Sequence, residues 1–509
     1  DEIVMTFNQL LKYNKSWEDY AMEALLGHET YKEQSGYMEG GKQKIVDPSG
    51  TSFRNAAKIT DLDSYGHTYA VEGYFGQVNA NYKQKYFASA SLRRDASSVF
   101  APENRWGTFW SVGGSWLVSS EKFLEKVHFI NSLKLKASYG VQGNDNIYLP
   151  GDDKERSYTP YMSLYKISSD GNEPGLKPQY KGNRAITWEE SGNFNAGVET
   201  TFWDNRIDLD VDFFIKKTNN LLFNMPIPAS TGFTTEPRNV ADMKNQGVEL
   251  TLGVTPVKTD KLSWKLTFNG LHYKNEITRL PDELREKGLT KGVQKLVEGG
   301  SIYDFYLVKW GGVNPENGDA QYWIKNPTTG EFELKPSAAY ESVNSTQLVG
   351  SAIPDLQGGF GTTFNFYNFE LALQFSYQLG GKFFDSQYLG LMHAGTAGHN
   401  WHTDIRNRWT PENRNTDVPR LQANSQNIVS TSDRFLIDAS YLSLRNVSLA
   451  YNFSKEVVEK LRLSQLRYYI TADNVWLWSK RKGLDPRVSL DGSNTYAVNS
   501  PIRTVSMGL

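Results

Sequence analysis

Three aspartates, Asp208, Asp210 and Asp212, alternate with Ile207, Leu209, Val211 and Phe213. Two residues apart, they share one face of an extended strand while apolar side chains fill the other. Such a row has two readings: contact with a molecule moving along a hydrated lumen, or polar lining that keeps that lumen wet. Glu189 and Glu190 form an adjacent acidic pair. On a strand they face opposite ways, so they cannot flank one glycosidic bond as paired glycosidase carboxylates do. His393, His399 and His402 cluster around Trp401 in a glycine-containing stretch. Metal ligation needs a defined ligand series, and these spacings match none. The functional reading is contact with a bound molecule, led by Trp401 with His399 and His402; the plainer one is loop structure. The stretch 311–319 has some acidic spacing but lacks the EF-hand ligand series and its closing Glu, so it reads as a turn built from Asn, Pro and Gly. No G-x-S-x-G elbow, H-E-x-x-H helix or phosphate-binding glycine loop stands out. No catalytic residue, metal site or cofactor is assigned, and the chain does not read as an enzyme.

The elements that must position these groups are strands. Leu262, Trp264, Leu266 and Phe268 alternate with Ser263, Lys265, Thr267 and Asn269. Phe369, Leu371, Leu373, Phe375 and Tyr377 alternate with Glu370, Ala372, Gln374, Ser376 and Gln378. Both match the period-two template and fail the helical one. Expected strands are 3–14, 17–33, 67–82, 86–97, 106–119, 131–143, 187–203, 206–223, 244–257, 262–278, 354–367, 368–380, 436–453, 465–478 and 501–509. Several exceed the length a membrane requires and should project beyond it.

The connections fall into two alternating sets. One is tight: 14–16, 83–85, 204–205, 259–261 and 367–368, with short helices expected at 121–127 and 455–461, the latter N-capped by Ser454. The other is long: 34–66, 98–105, 144–186, 224–243, 279–353, 381–435 and 479–500, with a small helix expected at 281–287. Short turns on one side and long loops on the other is the pattern of an outer-membrane barrel, with turns in the periplasm and loops outside. Aromatic residues flank the tight turns: Tyr13 and Trp17, Tyr82 and Tyr86, Trp203 and Trp264, Tyr367 and Phe369, Tyr451 and Phe453. An interfacial girdle accounts for them. The expected fold is therefore all-β, a transmembrane antiparallel β-barrel with a polar lumen and about 15 strands in this chain.

Composition agrees with that reading. Lys and Arg number 55 against 57 Asp and Glu, which gives no bulk electrostatic case for nucleic acid. There is no cysteine, so disulfides, thiolate metal sites and cysteine nucleophiles are excluded together. No run of about 18 apolar residues occurs, so no transmembrane helix is expected, a result that leaves barrel strands untouched. Asp1-Glu2-Ile3 lacks the basic start and apolar core of a signal peptide, so the chain is expected either to be mature or to lack its beginning.

A series of longer stretches has a distinctive order. It begins with Arg93-Arg94-Asp95-Ala96-Ser97-Ser98 and Arg105-Trp106-Gly107-Thr108-Phe109. Leu133-Lys134-Leu135-Lys136-Ala137-Ser138-Tyr139-Gly140 and Ile353-Pro354-Asp355-Leu356-Gln357-Gly358-Gly359 follow. Asp433-Arg434-Phe435, then Tyr441-Leu442-Ser443-Leu444-Arg445-Asn446-Val447 and Gly483-Leu484-Asp485-Pro486-Arg487, complete the set. On these stretches, from about residue 70 onward, the chain resembles the SusC/RagA-type TonB-dependent transporters of the Bacteroidetes outer membrane.

The resemblance implies a barrel of 22 strands with an N-terminal plug, and a SusD-like lipoprotein acting as a lid. It also implies oligosaccharide or peptide cargo, energy supplied through TonB, and a dimer of SusC–SusD pairs. The plug and the Ton box are not in the sequence. An odd, unclosed set of strands would leave edges in lipid, so residues 1–509 are expected to be the C-terminal portion of a longer barrel. Members tend to end in an aromatic residue, whereas this chain stops at Met507-Gly508-Leu509, which suggests a few further residues. Ala96 stands where the family often has Gly. A passive porin and a secreted, soluble glycan-binding β-protein are the competing readings.

Overall fold

In the computed structural model, residues 1–50, 52–149, 152–170, 173–422, 427–494 and 500–509 are described. Parts of the expected loops 34–66, 144–186, 381–435 and 479–500 lie outside them. The dominant feature is an antiparallel sheet of 15 strands hydrogen-bonded in chain order. The strands are β1 (Glu2–Ser16), β2 (Tyr20–Ile45), β3 (Ala56–Tyr82), β4 (Tyr86–Ser97), β5 (Trp106–Leu117), β6 (Ile130–Asn144), β7 (Glu189–Phe202) and β8 (Ile207–Asn219). They continue with β9 (Asp242–Lys258), β10 (Leu262–Arg279), β11 (Leu356–Phe366), β12 (Phe369–Leu379), β13 (Tyr441–Asn452), β14 (Arg467–Ser479) and β15 (Thr504–Gly508). Each of the 15 expected strands has its counterpart, because alternation is a local property that survives without knowledge of the fold.

The departures cluster where chain connects strands. The expected loop 34–66 is mostly strand: β2 and β3 stay paired from Tyr20↔Tyr82 out to Ile45↔Ala56. Gly and acidic residues there mask the alternation, but a bulge at Gly41/Lys42 absorbs one extra residue. The first tight turn sits at 17–19, not 14–16, closed by Trp17 N–H donating to the Tyr20 carbonyl at 2.7 Å. The helix expected at 121–127 is instead a 3₁₀ turn, Val118–Ser120, followed by hydrogen-bonded turns. The other two expected helices form, α1 (Asp282–Arg285) and α3 (Lys455–Lys460), beside an unexpected α2 (Ser386–Leu391), and all three are short. Ser454 occupies the N-cap of α3, yet its side chain makes no capping bond; its carbonyl accepts from Val457 instead.

The segment 279–353 also differs from the loop expected of it. It forms a small sheet of six short strands, centred on Asp304–Val313. Val308, Ala320, Tyr322 and Ile324 are buried within it. Its outer strands are three to six residues long, which leaves periodicity little to act on.

The chain divides into two compact units. The first holds residues 1–121, 135–196 and 216–243, with a core of Val99, Phe100, Phe109, Ile147, Ile186 and Trp188. The second holds residues 122–134, 197–215 and 244–509, with a core built from Phe305, Leu307, Phe384, Tyr388, Met392 and Phe435. Apart from Phe109 on β5, the residues of both cores lie in the connecting segments.

The sheet faces in the first unit show why. Val78, Leu92, Trp110 and Val112 are between 42% and 57% exposed on one face. On the other, Ser89, Ser91, Arg93, Asp95, Ser111 and Asn193 line a cavity of about 500 Å³. Ser91 and Ser111 hydrogen-bond across strands at 2.6 Å, and Arg93 pairs with Asp95 at 2.7 Å. A sheet with one bare apolar face and one polar face needs an apolar solvent on one side only.

Aromatic rings bracket that apolar band. Tyr20, Tyr82, Tyr86 and Trp116 run as a chain of ring contacts at 4.6, 6.3 and 6.2 Å along the turn ends of β2 to β5. A second chain, His28, Tyr74 and Trp106, runs at 4.6 and 6.3 Å higher on the same strands. Tyr74 is eight residues from Tyr82, and Trp106 is ten from Trp116. At ~3.3 Å per residue and a tilt of ~40°, the belts stand roughly 20–25 Å apart, the height of a barrel's apolar band.

Candidate functional site

The aspartate row lies on β8 as the alternation requires. Asp208 shares a face with Gly253 of β9: a Cβ added at Gly253 would come 3.1 Å from Asp208 Oδ2. Ile207 and Val254 therefore face the opposite way. Asp210 and Asp212 are engaged by neighbouring groups. All three carboxylates are half-buried, and the row has the geometry of a polar wall.

The histidine segment is divided by the fold. Asp385 caps α2 (Ser386–Leu391) by accepting from Tyr388 N–H at 2.9 Å. The chain leaving that helix curls back on itself. His393 Nδ1 accepts from the N–H groups of Gly395 and Thr396 at 3.2 and 2.9 Å. That fixes the tautomer, so Nε2–H faces the Asn400 carbonyl at 3.3 Å. Trp401 stacks on the imidazole, with centroids 4.9 Å apart and planes at 18°, and its indole N–H donates to the His393 carbonyl at 2.8 Å. His399 stands edge-on to His393 at 5.9 Å. Trp401 is 44% exposed, so this stack presents a flat aromatic face to solvent. Both nitrogens of His393 face backbone groups, leaving no lone pair for a metal.

His402 points elsewhere. Its Nδ1 accepts from Asp404 N–H at 3.2 Å, capping the 3₁₀ turn Thr403–Asn407, and its ring meets Tyr388 edge-on at 5.0 Å. Tyr388 O–H donates to Asp404 at 3.0 Å, and the Arg481 guanidinium lies over the Tyr388 ring while pairing with Asp385 at 3.3 Å. His402 thus belongs to a structural ion-pair network, and the ring beside Trp401 is His393. Sequence spacing could not separate the two roles, since all three histidines lie within ten positions.

Sequence reasoning also missed an aromatic knot in the same unit. Trp310, Tyr322 and Tyr340 meet edge-to-face at 5.2 and 4.9 Å. Arg434 lies over Trp310 at 4.8 Å and Phe435 at 5.4 Å, and burial pushes its guanidinium below its ordinary range. Asp433 accepts from Trp310 N–H at 2.6 Å. Burial raises Asp433 above the usual carboxylate range and pushes the Tyr322 phenol up to about 12. The Tyr322 hydroxyl donates to the Asn427 carbonyl at 3.1 Å, joining segments more than 100 residues apart.

The stretch 311–319 is the expected turn. Asn314 and Asn317 side chains accept from Glu316 and Asp319 N–H groups at 2.9 and 3.0 Å, and Arg420 pairs with Asp319 at 2.9 Å. Glu189 and Glu190 do not converge: Glu189 accepts from Leu222 N–H at 3.0 Å and from Asn144 at 3.2 Å.

Comparison with known proteins agrees with the architecture. The profile of the TonB dependent receptor-like β-barrel family matches residues 5–475. TonB-dependent receptor P3 of Formosa agariphila is 29% identical over 98% of this chain and 51% of its own length. TonB-dependent receptor SusC of Bacteroides thetaiotaomicron is 26% identical over 95% of this chain and 48% of its own. The chain thus spans about half the length of the curated relatives it matches. Among solved structures, that of the RagAB peptide transporter superposes with a TM-score of 0.85 at 24% identity, over 97% of this chain and 54% of that one. With its alternating sheet, paired aromatic belts and near-complete match to the family profile, the chain belongs to the TonB-dependent receptor-like β-barrel family of outer-membrane proteins.

Proposed function

We propose that this chain forms the C-terminal barrel portion of an active importer of large nutrients. The cargo is an oligosaccharide or a peptide, energy arrives through TonB, and a SusD-like lipoprotein serves as the lid. The plug and first strands belong to upstream sequence, and SusC–SusD pairs assemble as dimers. The connecting segments face outward and the C-terminus lies in the periplasm.

The observation that carries this reading is the two-faced wall. Apolar side chains are bare between two aromatic belts, while the opposite face is polar and hydrogen-bonded. A soluble sheet would have to cover that apolar face with a second layer. Cargo is captured on the Trp401–His393 surface, with His399 beside it. Lid closure and plug movement then admit it to the face bearing Asp208, Asp210 and Asp212. Relatives named TonB-dependent receptors support the coupling, and a fold shared with a peptide transporter is in keeping with peptide-sized cargo.

The rival is a passive porin, which the same wall would serve. Planar-bilayer conductance of the full-length protein separates the two. A closed channel, with cellular uptake that requires TonB, is the expected result. A steadily open pore would sink active import.

A further inference from the structure

We infer that the β7–β8 turn carries a binding site for the headgroup of a phosphoethanolamine lipid. The inference rests on the membrane orientation proposed above and goes beyond transport. A groove of about 620 Å³ opens at this turn. Its lining includes the polar groups Arg206, His128 and Asp204 and the rings of Trp203 and Phe129. It also includes Ile207 and Val254, on the sheet face opposite the Asp208 carboxylate. The groove is thus continuous with the apolar face of β8 and β9.

The turn is held in one shape. Trp203, Asp204 and Asn205 all adopt left-handed backbone angles, with φ of 50°, 55° and 58°. For a bulky residue such as Trp203, that conformation persists only where its surroundings impose it. Here they do: Trp203 N–H donates to the Phe129 carbonyl at 2.9 Å, and Asn205 N–H donates to the Asn131 side chain at 3.1 Å. Phe129, Phe202 and Trp203 pack as three rings with centroids 5.8–6.2 Å apart. Hydrogen bonds and ring packing thus hold the backbone that carries Asp204.

The cationic and imidazole groups of the lining are exposed and available. Among the described residues, neither the Arg206 guanidinium nor the His128 imidazole has a hydrogen-bond or ion-pair partner. Arginine and imidazole N–H donors suit a phosphate. A carboxylate two residues from Arg206 suits an ammonium. Trp203 and Phe129 are rings of the kind that settle at headgroup level, above apolar side chains that suit acyl chains. An anionic headgroup would leave Asp204 facing like charge, whereas a zwitterionic one satisfies both signs.

The test is native mass spectrometry of the full-length protein purified from outer membranes. The probes are dioleoylphosphatidylethanolamine, dioleoylphosphatidylglycerol and inorganic phosphate. The wild type should retain the ethanolamine lipid. Arg206→Gln and His128→Gln should retain both lipids several-fold less, and Arg206→Lys should recover part of the loss. Asp204→Asn should lose the ethanolamine lipid several-fold while keeping the glycerol lipid. Inorganic phosphate should not displace either lipid. Equal retention by wild type and Arg206→Gln, or displacement by inorganic phosphate, would overturn the site. An equal effect of Asp204→Asn on both lipids would overturn the headgroup assignment. Recovery of the protein only in the soluble fraction would overturn the membrane reading and this inference together, whereas unchanged lipid retention in membrane-recovered protein overturns this inference alone.

Discussion

Tyr377 lies across Gly358. The two are paired between β11 and β12, and Gly358 is paired in turn with Gly270 of β10. Two glycines side by side leave a trough, and the phenol crosses it so that its hydroxyl donates to the Asn269 carbonyl at 3.1 Å. A Cβ at Gly270 would stand 3.2 Å from that hydroxyl, and one at Gly358 would strike the Asn269 backbone carbonyl. The ring replaces packing that the glycines cannot supply. Tyr377→Phe should cost about 1 kcal/mol and Tyr377→Ala about 3–5 kcal/mol. Gly358→Ala should be worse tolerated than Gly270→Ala. Heat-modifiable electrophoretic mobility of outer-membrane protein checks the order.

The two faces of β8 should differ sharply in tolerance. Val211→Arg, five residues above Arg206, reaches mid-band and should cost about 2–4 kcal/mol of insertion; Leu209→Arg, nearer the turn, should cost less. Asp210→Asn stays on the polar face and should alter membrane levels least. Quantifying each variant in outer-membrane fractions, beside cargo uptake, would expose a reversed order.

Glu236 gives the hairpin formed by Leu222–Pro226 and Thr235–Asn239 a pH response. Burial alone would raise its carboxyl, but ion pairs with Lys181 at 2.8 Å and Arg238 at 2.6 Å overcome this and hold it below the usual range. The folded state thus favours the charged form. Its stabilisation is complete above an ordinary carboxylate value of about 4.3 and is lost as pH falls through the lowered folded value. Both cations are about one-third exposed, so the local effect should be about 1 kcal/mol. Hydrogen exchange of residues 222–239 should quicken in acid, and Glu236→Gln should abolish that response.

Trp401 and His402 should part company on mutation. Trp401→Ala removes an exposed stacking face and should weaken cargo binding by about 0.5–1.5 kcal/mol while leaving the loop folded. His402→Ala removes a cap and should raise protease sensitivity of 386–407 by a loss of about 1 kcal/mol, with little effect on binding once folded. Titration calorimetry with oligosaccharide and peptide panels, beside limited proteolysis, resolves the two effects.

How far the sequence determined this protein follows from the range of each interaction. Alternation such as Asp208–Leu209–Asp210 has a two-residue period and is set by backbone geometry alone, so the strands and their two chemical faces were readable directly. The rings beside the turns were readable for the same reason, since interfacial preference belongs to the residue itself. The tertiary structure decided what had no period. It folded 279–353 into a sheet, and it brought Trp310 to Asp433 and Tyr322 to Asn427. It also gave Trp401 to His393 while turning His402 into a cap. Those pairings are chosen by burial and hydrogen bonding between distant segments, whose closure no local spacing encodes.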